Sequence, residues 1–325
     1  FRLFDGTIVQ FRKNSRSPFL VEADDEGNLW LFKNGERVCR VSWLERPAYY
    51  SSVTSDGVPM VKVGQIGGAD CFFICYNNYC SHFATGKECL FCNLVDTTKK
   101  YRSVLTRKEA RQIGEVARAA FEEGVSEHVL LTGGCFGNEK EVEVVGSILK
   151  GIRDITGWDR IPGVVLPSPP RDLDDLKRYR DAGITAIAFS LEIWDEGLYR
   201  ALCPGKAETT PRKWFLKTIG EAVKIFGEGN VYGVFVMGLE PADSLAEGVD
   251  AISDLGAHIV PFVWSPNPGS KLFGHRAPYG EWYAESVRRY AEIVASKKIP
   301  PSVYHCRECD GNNMLHDALH ELGLE

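Results

Sequence analysis

No run in this sequence stays apolar for the roughly 18 residues that a bilayer-spanning helix needs, so no membrane role is expected. The visible start, FRLFDGTIVQFRKN, lacks the apolar core of a secretion signal, and the expectation is a cytoplasmic protein. Positive charge is also in short supply. Lys and Arg number 38 against 44 Asp and Glu, a formal net charge of −6. Without a basic footprint a nucleic acid is not an expected partner, and a small molecule or a short protein segment is. Low-complexity tracts and long-period repeats are missing too. Ten cysteines in 325 residues are too few for a disulfide-dense scaffold, yet they are grouped, which points to metal or catalysis in a reducing compartment.

What is present is an ordinary globular composition, 44% hydrophobic and 25% charged, over a length that suits one large α/β domain with an appendage. Residues 1–64 read as short strands and turns. GNLWLF and ERVCRVSWL, joined through Asn34-Gly35, carry a hairpin signal, so this stretch is expected to be a small β-rich cap. From residue 65 to 325 strands alternate with helices. TRKEARQIGEVARAAFEEG places Ile113, Val116, Ala117, Ala120 and Phe121 on one helical face, with Thr106 and Glu109 as a capping box and Gly124 as the stop. HVLLTGG, GVVLP, ITAIAFSLE, NVYGVFVMGLE, HIVPFVWSP and SVYHC read as strands, each separated from the next by a helical pattern. Near-continuous apolar strands of this kind mean a parallel sheet covered by helices. Periodicity alone leaves an open doubly wound sheet or a barrel. Polar residues at the C-terminal ends of several strands favour the barrel.

The segment CFFICYNNYCSHFATGKECLFCNL, residues 71–94, carries the chemistry. Cys80, Cys89 and Cys92 are spaced C-x8-C-x2-C directly after a strand-like run. Thiolates are the preferred ligands of a four-iron cubane, and a loop supplying three of them leaves one iron open. A structural zinc site, completed by His82 or Cys75, is the competing reading of the same residues. Cys306 and Cys309, in HCRECDGN, repeat the x2 spacing near the chain's end and are expected to help hold an auxiliary Fe–S cluster, with Cys135, Cys203 or His305 as further ligands. A redox pair or a shared zinc site are the alternatives there.

The cysteine loop resembles that of the radical S-adenosylmethionine (SAM) superfamily, and of its biotin synthase-like members in particular. An Asn-containing turn leads into the cysteines and Phe91 precedes the last of them, although the family's usual first gap is shorter. The resemblance implies a partial or full parallel β/α (TIM-like) barrel with a small N-terminal β-rich extension. It also implies a [4Fe–4S] cluster on Cys80, Cys89 and Cys92, with SAM on the open iron. Gly133 and Gly134 match the family's Gly-Gly-acid turn for the SAM amino group, and Cys135 stands where the acid is expected. Ser190 and Glu192, on the fourth barrel strand, and Arg212 on the following helix are implied SAM contacts. LYRALCPGK is a further likeness to the biotin synthase-like group. By the same resemblance, an electron from a reductant such as ferredoxin or flavodoxin would convert SAM to methionine and a 5′-deoxyadenosyl radical, which takes hydrogen from a small molecule or cofactor precursor. Sulfur insertion from the Cys306/Cys309 site is the first expectation for the fate of the substrate radical. C–C bond or rearrangement chemistry in cofactor maturation is the second. A zinc-stabilised scaffold without catalysis is the rival from another class.

Overall fold

The structure is a computed structural model, and it describes residues 1–10, 17–100, 105, 107–136, 140–302, 304 and 312–324. Two sheets organise the chain. The first is antiparallel, in the order β1-β4-β3-β2, from β1 (Arg2–Leu3), β2 (Phe19–Ala23), β3 (Leu29–Lys33) and β4 (Glu36–Ser42). The expected hairpin joins β3 to β4. Asn34 (φ 51°) and Gly35 (φ 85°) both adopt the positive φ that a tight two-residue turn requires.

The second sheet has seven strands: β5 (Gln65–Gly67), β6 (Cys71–Asn77), β7 (His128–Gly133), β8 (Ile161–Val165), β9 (Ile184–Glu192), β10 (Val231–Met237) and β11 (His258–Val263). Only β5 runs antiparallel, and from β6 to β11 each strand pairs in parallel with the next in sequence. This sequential order decides the fold. A doubly wound sheet reverses its strand order at a switch point, whereas a barrel wall does not. The sheet is a partial parallel barrel, edged by β5 and β11. The seventh parallel strand expected over SVYHC does not form at Ser302 or Tyr304, and the rest of that run lies outside the described residues. The outer edge of β11 instead meets the chain near the C-terminus, through a bridge from Phe262 to Asn313 and a bond from Val263 N to Asn312 O of 2.8 Å.

The helices are α1 (Ser81–Ala84), α2 (Leu94–Lys100), α3 (Ala110–Glu122), α4 (Lys140–Thr156), α5 (Asp175–Asp181), α6 (Glu196–Leu202), α7 (Pro204–Thr209), α8 (Arg212–Phe226), α9 (Ala242–Ser253), α10 (Gly280–Ser296) and α11 (Leu315–Glu321). None among the described residues is long and apolar enough to cross a membrane. Helix α3 starts one turn later than its sequence suggests. Glu109, not Thr106, is the cap, in a reciprocal box with Gln112, and Thr106 lies outside the described residues. A Glu-x-x-Gln pair can exchange the same two hydrogen bonds as the Thr-x-x-Glu pair read from the sequence.

Strand alternation splits the sheet into two chemically different faces. Phe72, Ile74, Leu131, Ile187, Phe189, Leu191 and Phe235 point to the helices and join one large core. The opposite face carries Cys71, Leu130, Val164, Ala186, Ala188, Val234 and Val260, with Tyr232. Smaller side chains predominate on this inner face, Leu130 and Tyr232 apart, and it too is closed to solvent, packed with Leu166, Phe262 and Tyr304. Phe189 is fully buried in the helix-side core, so Phe189→Ala is expected to cost about 3–5 kcal/mol, read as a lowered urea midpoint.

Candidate active site

The cysteine loop leaves β6 at Asn77, a buried residue whose side chain secures the first turn. Its Nδ2 donates to Tyr79 O (2.8 Å) and Gly134 O (3.0 Å), and its backbone O accepts from Gly134 N (2.8 Å). The end of β6 is thus locked to the turn after β7. That turn needs glycine. A Cβ on Gly134 would fall 2.2 Å from Tyr79 O and 2.8 Å from Cys80 Cβ, and one on Gly133 would meet the Tyr76 ring at 2.6 Å. Ser81 N then donates to Cys135 O at 2.9 Å, a second tie between loop and turn.

Cys80, Cys89 and Cys92 are brought together, close enough that each acts on the charge of another. Burial pushes the Cys80 thiol up and the Cys92 thiol up to about 12. Cys89 moves the other way, because Cys203 hydrogen-bonds to it and outweighs burial. Among the described residues no three His, Cys, Asp or Glu side chains form a cage for a single metal ion. A cubane asks for a different arrangement, since each thiolate binds its own iron instead of crowding one centre.

Segment 202–206 is strapped to this loop. Leu90 N donates to Leu202 O (2.8 Å), Gly205 N to Lys87 O (3.0 Å), and Lys87 pairs with Glu208 at 2.7 Å. Gly205 is close-packed: a Cβ there would lie 2.3 Å from His82 Nδ1. Lys206 reaches across to β9, donating to Ser190 O (2.9 Å) and Glu192 Oε1 (2.5 Å). Burial alone would lower the Lys206 ammonium, but Glu192, Cys89 and Cys203 around it hold it well above the usual lysine range. Ser190 and Glu192 are therefore neighbours at the mouth, as strand alternation implies. A bulge intervenes, and Glu192 takes a left-handed φ of 76°, a costly conformation for a residue with a Cβ. Glu240, buried after β10, fixes the next turn by accepting from Trp194 N (2.8 Å) and Asp195 N (2.9 Å).

Beside Cys135 opens a cavity of about 760 Å³, lined by His82, Glu141, Ser168, Tyr179 and Trp214 among others. His82 Nε2 and Tyr179 OH are buried there with no hydrogen-bond partner among the described residues. Glu141 accepts from Tyr76 OH (3.1 Å) and Ser168 N (3.2 Å). Burial, reinforced by Cys135, pushes its carboxyl up to about 7.

The other expected residues fall as follows. Phe91 packs half-buried against the helix-side core. Arg212 sits at the start of α8 with its guanidinium already engaged, on Trp194 O at 2.8 Å, Glu196 at 3.2 Å and over the Trp194 ring at 4.3 Å. His305, Cys306 and Cys309 lie outside the described residues. Asn77 and Glu141 were not picked out, His82 entered only as a zinc ligand, Cys203 only as a ligand of an auxiliary cluster, and Lys206 only within the LYRALCPGK likeness. For the last two, the Cys-Pro-Gly-Lys run was the available signal.

A family model for the radical SAM superfamily matches residues 75–252, from within β6 through nearly all of α9. The chain belongs to the radical SAM superfamily. Its members are enzymes that use a [4Fe–4S] cluster and SAM, and three thiols on one loop beside a glycine turn fit that pair. The chain is 25% identical over 304 residues to the bacteriochlorophyllide c C-7(1)-hydroxylase of Chlorobaculum limnaeum, covering 89% of this chain and 75% of that one. In fold it is similar to methylornithine synthase (TM-score 0.53, 18% identity, 71% of this chain and 64% of that one). It is also similar to the hydrogenase maturase HydG of Carboxydothermus hydrogenoformans (TM-score 0.55, 17% identity, 70% and 51%). The chain thus spans about half to two-thirds of the length of these two structures.

Substitutions at the turn and in the cavity should carry different signatures. Gly134→Ala would force a Cβ into the Tyr79 carbonyl, costing about 1–3 kcal/mol, and iron uptake on anaerobic reconstitution should drop while far-UV circular dichroism is retained. Glu141 keeps its proton in the folded state after the unfolded chain has lost it, so its burial costs stability as pH rises from the usual glutamate range to about 7. Glu141→Gln should flatten that part of the stability–pH curve and raise the melting temperature above pH 7 relative to the unsubstituted chain.

Proposed function

We propose that this radical SAM enzyme holds its cluster on Cys80, Cys89 and Cys92 and abstracts hydrogen from an apolar, cofactor-like small molecule lying against the inner face of the half-barrel. The observation that carries the reading is the division of that face. Small apolar side chains, Val164, Ala186, Ala188, Val234 and Val260, form its floor, closed off together with Leu130 and Tyr232, and the ionic pair Glu192–Lys206 stands at the mouth. When bound, the cluster and SAM supply a 5′-deoxyadenosyl radical on receipt of one electron from a small reductant protein. The chain's own residues position and shield. Gly133 and Gly134 let the backbone approach closely, Glu192 offers a carboxylate to polar groups of SAM, and the apolar wall keeps water from the reacting carbon.

The Chlorobaculum relative is named for hydroxylating a bacteriochlorophyllide, a broad ring with a large apolar area. A substrate of that kind would take its place above these buried side chains, toward the strand ends. Sulfur insertion would require the Cys306/Cys309 site to hold iron of its own. Joint replacement of those two residues by alanine should then lower iron content and leave SAM cleavage in place. Work in the reducing interior of the cell completes the proposal.

Anaerobic reconstitution with iron and sulfide, followed by a strong reductant and SAM, should yield 5′-deoxyadenosine. Cys80→Ala, Cys89→Ala and Cys92→Ala should each bring the yield to background. Glu192→Gln should weaken SAM binding by roughly tenfold or more, as loss of a charged hydrogen bond does, measured by equilibrium dialysis. A colourless protein that takes up zinc alone would overturn the proposal.

A further inference from the structure

Resting on the reading that Glu192 serves SAM, we infer that Lys206 is the positioning residue of that carboxylate: it bolts the end of β9 to the cysteine loop and so sets where Glu192 points. Backbone preference does not hold Glu192 in its place. It sits in a three-residue turn closed by Ile193 N on Leu191 O at 3.0 Å, with a φ of 76°. This is the rare, strained form of the γ-turn. The β9–β10 register slips beside it, between Ser190 and Glu192. A strained turn that carries a flexible acid needs an anchor from outside the strand.

Lys206 is that anchor. Its ammonium donates to Ser190 O (2.9 Å) and Glu192 Oε1 (2.5 Å), one acceptor on either side of the slip. The pair is mostly buried, with 22% of the lysine side chain and 14% of the glutamate side chain accessible, so salt screens it far less than a surface pair. The lysine is in turn held from behind. Gly205 N donates to Lys87 O (3.0 Å), Leu90 N to Leu202 O (2.8 Å), and Lys87 Nζ pairs with Glu208 (2.7 Å). The His82 ring fills the space that a Cβ on Gly205 would need. These ties fix α7 against the loop on both sides of Lys206. Among the described residues Glu192 makes its hydrogen bond through Oε1, which leaves Oε2 to accept from SAM. One side chain therefore keeps the cysteine loop and the carboxylate in register.

The test is equilibrium dialysis of SAM against the anaerobically reconstituted full chain, without reductant, with iron content measured on every variant. Glu192→Gln, Lys206→Met and the double variant form a cycle. Lys206→Met should keep its iron and weaken SAM binding about tenfold, as loss of a charged hydrogen bond does. Because Lys206 acts through Glu192, the double variant should match Glu192→Gln alone to within about twofold. Lys206→Arg, which keeps the charge, should recover most of the affinity. If Lys206→Met sheds its iron, Lys206→Gln, a neutral donor, is judged by the same cycle. Unchanged binding in Lys206→Met beside weakened binding in Glu192→Gln would overturn the inference and leave the role of Glu192 standing. Tighter binding in Lys206→Met would make the ion pair a lock that SAM must break, and would overturn it too. Losses that multiply in the double variant would give Lys206 a separate contact with SAM and overturn the positioning role. No loss in Glu192→Gln would remove the reading and the inference together.

Discussion

A single carboxamide ties this site together. Asn77 ends β6, and its side chain and backbone bind the turn after β7, so two parallel strands finish at one fixed point. The rest of the cysteine loop is measured from there. The approach is so close that Gly134 has no room for a Cβ, and the same closeness sets Cys80 beside Cys135. Thiols that are to meet at one point cannot be left to find each other across a free loop of this length, because ordering each residue costs backbone entropy of about 1–2 kcal/mol. The chain meets that cost with many short ties: Asn77 at one end, the 202–206 segment at the middle, and Asn93 on Pro268 O beyond.

The second constraint is the division of labour across the sheet. Large aliphatic and aromatic side chains on the helix side form the larger core, and the inner side closes on a smaller one. Ala186 and Ala188 on β9 alternate with Ile187, Phe189 and Leu191, so one strand serves both ends. Polar chemistry is confined to where strands stop. The left-handed Glu192 and the bulge beside it mark that boundary, since a regular strand would have continued past it.

The strand–helix alternation was legible because its signal is local: buried strands are short apolar runs, and helix faces repeat within one chain segment. The cysteine loop was legible for the same reason, as Cys80, Cys89 and Cys92 lie within a short span. Lys206 was not, because what makes it special is a carboxylate on another element, 14 residues away in sequence. Cys203 was read as a candidate ligand of an auxiliary cluster, as nothing in the Cys-Pro-Gly-Lys run says which part of the cysteine loop it packs against. Arg212 looked free in sequence only because its partners, the Trp194 carbonyl and Glu196, depend on how the β9–α6 turn folds back. The cap of α3 slipped by one turn since two adjacent residue pairs can satisfy the same donors.

The edge of the sheet beyond β11 is built unlike its interior. Inside, strands are joined by continuous ladders, such as the six paired positions between β10 and β11. At the flank, the backbone contact among the described residues is one bridge at Asn313 and one bond from Val263 to Asn312. Parting a wall there breaks a pair of hydrogen bonds, each worth about 1 kcal/mol net, where parting any inner seam would dismantle a ladder. Among the described residues that flank is a loosely sewn hem, where the inner seams are stitched along their length.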